Sequence, residues 1–220
     1  MTQKDIPNCF LPVTQLSEKL EKGGLSSLEL IEEYLERIRK HDRNLGAFID
    51  VYEEEARKAA SASDMARASG HIIGPLQGIP VAVKDIIDIE GKITTGGSMV
   101  WKDRRSTLTA TLVRRMVEAG MIVLGKTHTV EFAMGSFGTN QHMGSPKNPW
   151  DLEEHRATGG SSAGTAAAVA AGLTPWGIGT DTGGSVRIPS AWCGLTGLKT
   201  SVGRISTHGV LPLSHTLDTP

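Results

Sequence analysis

The chain has 220 residues, 39% of them hydrophobic, and a formal net charge of −1. It can bury a sizeable core, and it offers no electrostatic reason to bind nucleic acid directly or to sit on an acidic membrane. Its two cysteines, Cys9 and Cys193, lack C-x-x-C spacing, no apolar run is long enough to span a bilayer or form a secretory core, and the seven histidines show no metal-ligand spacing. A cytoplasmic protein without metal or organic cofactor is the expectation.

In chain order, Ser26 and Glu29 form a capping-box pattern that opens a helix to about His41, with Leu28, Ile31, Leu35 and Ile38 on one face. Glu53–Ser69 reads as a second helix. The charged residues of both, among them Glu32, Glu33, Glu36, Arg37, Arg57 and Lys58, read as a solvated face. A loop from Gly70 to Gly78 leads into a strand over Ile79–Lys84, and Thr109–Ala119 reads as a helix stopped by Gly120. The following GMIVLGKT, Gly120–Thr127, matches the phosphate-loop pattern, but its four intervening residues are Met, Ile, Val and Leu. That composition predicts a buried strand, with Lys126 just past its end. Alternating helix and strand predicts an α/β fold with a largely internal, mixed or parallel sheet. There is no linker or repeat, so one domain is expected, with a helical segment over 1–70 and a core over 71–220.

The chemistry concentrates between Ala157 and Pro189, ATGGSSAGTAAAVAAGLTPWGIGTDTGGSVRIP. Two Gly-Gly-Ser clusters flank an alanine-rich run, Ser162–Ala171, that suits a short, closely packed helix. Trp176–Ile178 reads as a short strand leading into the loop Gly179–Ser185, and Pro189 limits regular continuation. Glycine lets a ligand approach the main chain and leaves successive N–H groups free to face negative charge, so a serine there suits a nucleophile or an anion site. A helix starting beside Ser161 would aim its positive end at that serine. Gly160–Gly164 also matches the G-x-S-x-G elbow with Ser162 at its centre, but Glu153, Glu154, His155 and Arg156 precede it where an elbow needs a strand.

GGSSAGTAAAVAAG followed by GTDTGGSVRIPSAWCGLTGLKTSVGRIS resembles the signature region of the amidase signature family. PVAVKD, Pro80–Asp85, and GKTHTVEFAMG, Gly125–Gly135, are similar to family segments in the same order. The resemblance covers roughly residues 74–220 and implies a central mixed sheet flanked by helices. It also implies hydrolysis of a small carboxamide by a Ser, cis-Ser, Lys triad. By this resemblance Ser185 is the nucleophile, Ser161 the bridging serine after a cis Gly160–Ser161 bond, and Lys84 the base. Main-chain N–H groups of Thr182, Gly183, Gly184 and Ser185 are the implied oxyanion hole. The chemistry is sound on its own terms: Lys84 ends an apolar run, burial disfavours its charge, and a neutral lysine accepts a proton.

Ala163 and Thr165 stand where many family members carry glycine and serine, a change in loop detail only. Asp181 and Arg187 read as paired structural charges outside the catalytic set. The sequence stops inside a run that continues in the family, which implies a C-terminally truncated member comprising the N-terminal part of the domain. Two further readings stand beside the simple amidase: a glutaminase-type subunit of a tRNA-dependent amidotransferase, and an inactive remnant whose unpaired strand edges favour association. A homo-oligomer is compatible with the sequence.

Overall fold

The computed structural model describes residues 6–220. A first helix, α1 (Val13–Glu21), buries Leu16 and Leu20, one turn apart on a single face. The capping box expected at Ser26 and Glu29 is formed in both directions and opens α2 (Ser27–Leu45), which runs one turn beyond His41 to a left-handed Gly46. Its buried face carries Leu30, Ile31, Tyr34, Leu35 and Ile38. The short strand β1 (Phe48–Val51) precedes α3 (Glu53–Ala68). Next come β2 (Pro80–Lys84), α4 (Thr111–Glu118) and β3 (Ile122–Thr127). They are followed by α5 (Ala163–Ala170), β4 (Gly177–Ile178) and α6 (Arg187–Trp192).

The four strands form one mixed sheet in the order β1-β3-β2-β4. β2 pairs in parallel with β3 and β4, whereas β1 runs antiparallel along β3. Every residue of β2 is buried, as expected of an apolar run in an internal parallel strand. α5 packs across all four strands, and α3 and α4 lie against β3. Alanine and glycine make this approach of α5 close: the Gly164 N–H donates to the His128 carbonyl at 3.0 Å. No helix among the described residues is long and apolar enough to cross a membrane.

Three expectations need correction. The charged residues of α2 and α3 are not all a solvated face: Arg57 bridges the two helices through Glu32 at 2.6 Å, and Arg37 Nε donates to the Ala171 carbonyl at 2.9 Å. Lys126 lies inside β3, fully buried, rather than past its end. Pro189 does not stop regular structure; it sits in the first turn of α6, where a missing N–H leaves no intrahelical bond unmade.

Candidate active site

β2 ends on Lys84 beneath two loops, one running into α5 and the other running from β4 to α6. The side chain is fully buried. Its Nζ lies 2.7 Å from Ser161 Oγ and 2.8 Å from Thr180 Oγ1. No carboxylate is bonded to it among the described residues. Burial pushes the Lys84 ammonium down to about 7, and the carboxylates of Asp181 and Asp218 oppose that shift without cancelling it.

Ser161 is held from behind. Its carbonyl accepts from the Val130 N–H at 3.2 Å and from Thr129 Oγ1 at 3.1 Å, and the Gly160–Ser161 bond is cis. Gly159 adopts φ 76°, and a Cβ there would lie 2.9 Å from Pro189 Cα, so only glycine lets this loop meet α6 so closely.

Ser185 is half-buried at the other side of the site, and its carbonyl accepts from the Ser162 N–H at 3.2 Å. The two serine loops are therefore stitched through their main chains. Among the described residues no hydrogen bond joins Ser185 Oγ to Ser161, so the structure couples Lys84 directly to Ser161 and brings Ser185 alongside by its backbone.

Asp181 shapes the loop that carries Ser185. Its fully buried carboxylate accepts the N–H groups of Gly184 at 2.8 Å, Val186 at 3.1 Å and Arg187 at 3.2 Å. The Arg187 guanidinium reaches it through two further contacts at 3.0 and 2.9 Å. Burial alone would raise this carboxyl; Arg187 and the three N–H donors reverse the effect and hold it at about 2. The reading of Asp181 and Arg187 as a structural pair therefore matches the geometry. Gly184, however, directs its N–H at Asp181, leaving Thr182, Gly183 and Ser185 as the N–H groups of this loop without a protein acceptor among the described residues.

The two motif look-alikes resolve as structure. Lys126 Nζ meets Asp85 at 2.8 Å and Thr94 Oγ1 at 2.9 Å inside the sheet, far from any phosphate-loop geometry. Ser162 is buried, and its Oγ accepts the Thr180 N–H at 3.2 Å, so it ties the two loops together. Two site residues carry no sequence signal of their own. Thr180 is the second partner of Lys84, and Asp218 accepts from Thr182 Oγ1 at 2.5 Å. No cluster of potential metal ligands exists among the described residues.

The chain matches the family model described as Amidase over residues 29–220. It is 47% identical over 206 residues to a glutamyl-tRNA(Gln) amidotransferase subunit from Chromohalobacter salexigens, covering 94% of this chain and 42% of that protein. The peptide amidase of Stenotrophomonas maltophilia superposes with a TM-score of 0.89 at 37% identity, covering 97% of this chain and 45% of that one. A chain from a vestigial protein complex bearing on the origins of an s-triazine catabolic enzyme superposes with a TM-score of 0.91 at 39% identity, covering 94% and 45%. The chain thus spans about two-fifths of the length of the curated relatives it matches.

Proposed function

The chain belongs to the amidase family, and from that premise we propose that it carries the acyl-transfer centre of a carboxamide hydrolase, with Ser185 as nucleophile, Ser161 as proton bridge and Lys84 as base. The observation that carries this reading is the 2.7 Å contact between Lys84 Nζ and Ser161 Oγ at full burial, with no carboxylate bonded to the ammonium among the described residues. Neutral Lys84 accepts the Ser161 hydroxyl proton across that contact, and Ser161 accepts the proton of Ser185 as its oxygen attacks the amide carbon. The return of the proton to the departing nitrogen releases the amine and leaves a Ser185 ester, which water cleaves by the same relay. The N–H groups of Thr182, Gly183 and Ser185 face the developing oxyanion, and each such donor is worth on the order of 3 kcal/mol in the transition state. Gly184 contributes shape instead, its φ of 130° turning its N–H onto Asp181. The chemistry calls for no cofactor.

A second reading has its own support in the 47% identity to an amidotransferase component. In it, the same centre hydrolyses the side-chain amide of glutamine and the ammonia passes to a partner enzyme.

The test is fluorophosphonate labelling followed by mass-spectrometric mapping of the adduct. An adduct on Ser185, absent in Ser185→Ala and in Lys84→Met, is expected. Labelling on Ser162 or Ser161 instead would overturn the assignment of the nucleophile. Ammonia release from glutamine but not from simple amides would select the second reading.

A further inference from the structure

The last eight residues fold back onto the loop that bears Ser185. Thr219 and Asp181 exchange both main-chain hydrogen bonds, at 2.7 and 3.2 Å, as a two-residue antiparallel bridge. One residue earlier, the Asp218 carboxylate is fixed by the N–H groups of Leu213 at 2.8 Å and Ser214 at 3.0 Å. Its remaining capacity is turned to the Thr182 hydroxyl, which donates to it at 2.5 Å. Thr182 is thus gripped by its side chain while its own N–H is left without a protein acceptor among the described residues.

We infer that Asp218 is a positioning residue for the acyl-transfer centre, fixing Thr182 so that its N–H points at the reacting carbonyl and bringing a carboxylate onto the loop whose Thr180 meets Lys84. The inference rests on the triad reading above. A threonine hydroxyl held by a carboxylate anchors the residue through its Cβ and so restrains the main-chain rotations that would swing the adjoining N–H away, which keeps the donor aligned before substrate arrives.

The charges around Lys84 can be counted element by element. The segment after β4 contributes Asp181, already neutralised by Arg187 at 2.9 Å. β3 contributes Lys126, neutralised by Asp85 at the end of β2 at 2.8 Å. α5 contributes no charged residue at all. Asp218 remains as the carboxylate that acts on Lys84 without a bonded cation among the described residues, and its field favours the protonated lysine. Removing it leaves burial less opposed, so the pH at which Lys84 loses its proton falls.

The experiment follows the rate of fluorophosphonate labelling of Ser185 against pH in the unaltered chain and in three variants. Asp218→Asn removes the charge and keeps an acceptor; its acid midpoint should move about half a pH unit lower. Thr182→Val removes the donor and keeps the charge; labelling should slow about tenfold at every pH with an unmoved midpoint, and Thr182→Ser should restore the rate. A purely structural role for Asp218 would reduce the labelled fraction without moving the midpoint. An unmoved midpoint in Asp218→Asn, or an unchanged rate in Thr182→Val, overturns the inference while the triad stands. Absence of Ser185 labelling in the unaltered chain overturns the triad reading itself, and this inference with it.

Discussion

Lys84 and Lys126 lie on neighbouring parallel strands, offset by a single register step, and only Lys126 has a carboxylate on its ammonium. Both are fully buried. The same sheet therefore holds one lysine as a charged structural tie and leaves the other free to lose its proton. Burial lowers both, but for Lys126 the Asp85 carboxylate at 2.8 Å opposes the change directly.

That contrast predicts opposite stability effects. Asp85→Ala strands the Lys126 charge in the core and should destabilise the chain by about 3–5 kcal/mol, because removal of one partner leaves the other uncompensated. Lys84→Met instead replaces a buried ammonium to which no carboxylate is bonded among the described residues, so urea unfolding should place it within about 1 kcal/mol of the unaltered chain. A severe loss in Lys84→Met, or a negligible one in Asp85→Ala, would reverse the roles given to the two lysines.

The pH dependence of stability carries the same signature. Folding lowers Lys84 from the ordinary lysine value of 10.5 to about 7, so between those values the unfolded chain binds more protons than the folded one. Stability should therefore rise with pH from about 7 upward, by at most about 1.4 kcal/mol per pH unit for this one group. Below 7 the folded chain holds the buried charge at full cost. Burial also lowers His128, but that group acts below its ordinary 6.5, and Cys193, raised to about 12, opposes only once an unfolded thiol ionises near 9. Urea midpoints at pH 7.0, 7.75 and 8.5, chosen as roughly the window between these effects, should climb in the unaltered chain and climb less steeply in Lys84→Met, where Lys126, also lowered by burial, acts in the same direction. An equal slope in both would mean that Lys84 stays protonated in the fold.

Asp181 and Arg187 form an ion pair, but their weights should differ greatly. The Arg187 side chain is 55% exposed, so Arg187→Ala loses a solvent-screened contact and should leave both stability and Ser185 labelling nearly unchanged. Asp181→Ala leaves the N–H groups of Gly184, Val186 and Arg187 without their acceptor and releases the Ser185 loop. Ser185 labelling should then drop by about a hundredfold or more, as expected when oxyanion donors lose their alignment. Equal effects from the two substitutions would show that the ion pair, not the main-chain contacts, organises the loop.

What the sequence reveals here follows the range over which each interaction acts. The capping box is local, so Ser26 and Glu29 announce α2; the apolar runs of β2 and β3 announce buried strands; and the glycine loops mark where Ser161 and Ser185 lie. Strand β1 has four residues, too few to show a period, and α6 is masked by Pro189, which reads as a breaker until its first-turn position is known. Thr180 meets Lys84 because β4 pairs beside β2, a neighbour relation that no spacing encodes. Asp218 reaches Thr182 across 36 positions through a turn built by Leu213 and Ser214. Local chemistry was legible, while the partners that hold it in place depend on tertiary pairing.

Gly164 separates these two levels most sharply. By helix propensity alone, Gly164→Ala in α5 should stabilise the chain by about 1 kcal/mol. The sheet dictates the reverse. A Cβ at this position would run into the Ala47 carbonyl oxygen and the His128 main-chain nitrogen, both backbone atoms of segments flanking the sheet that cannot rotate aside. Overpacking of this kind costs about 1–3 kcal/mol and here must be relieved by lifting α5 from β1 and β3. Because α5 begins two residues after Ser161, that movement should also draw Ser161 away from Lys84 and slow Ser185 labelling. Urea unfolding and labelling of Gly164→Ala should therefore both show losses; a stabilised, fully labelled variant would mean that the helix can shift without disturbing the serine it positions.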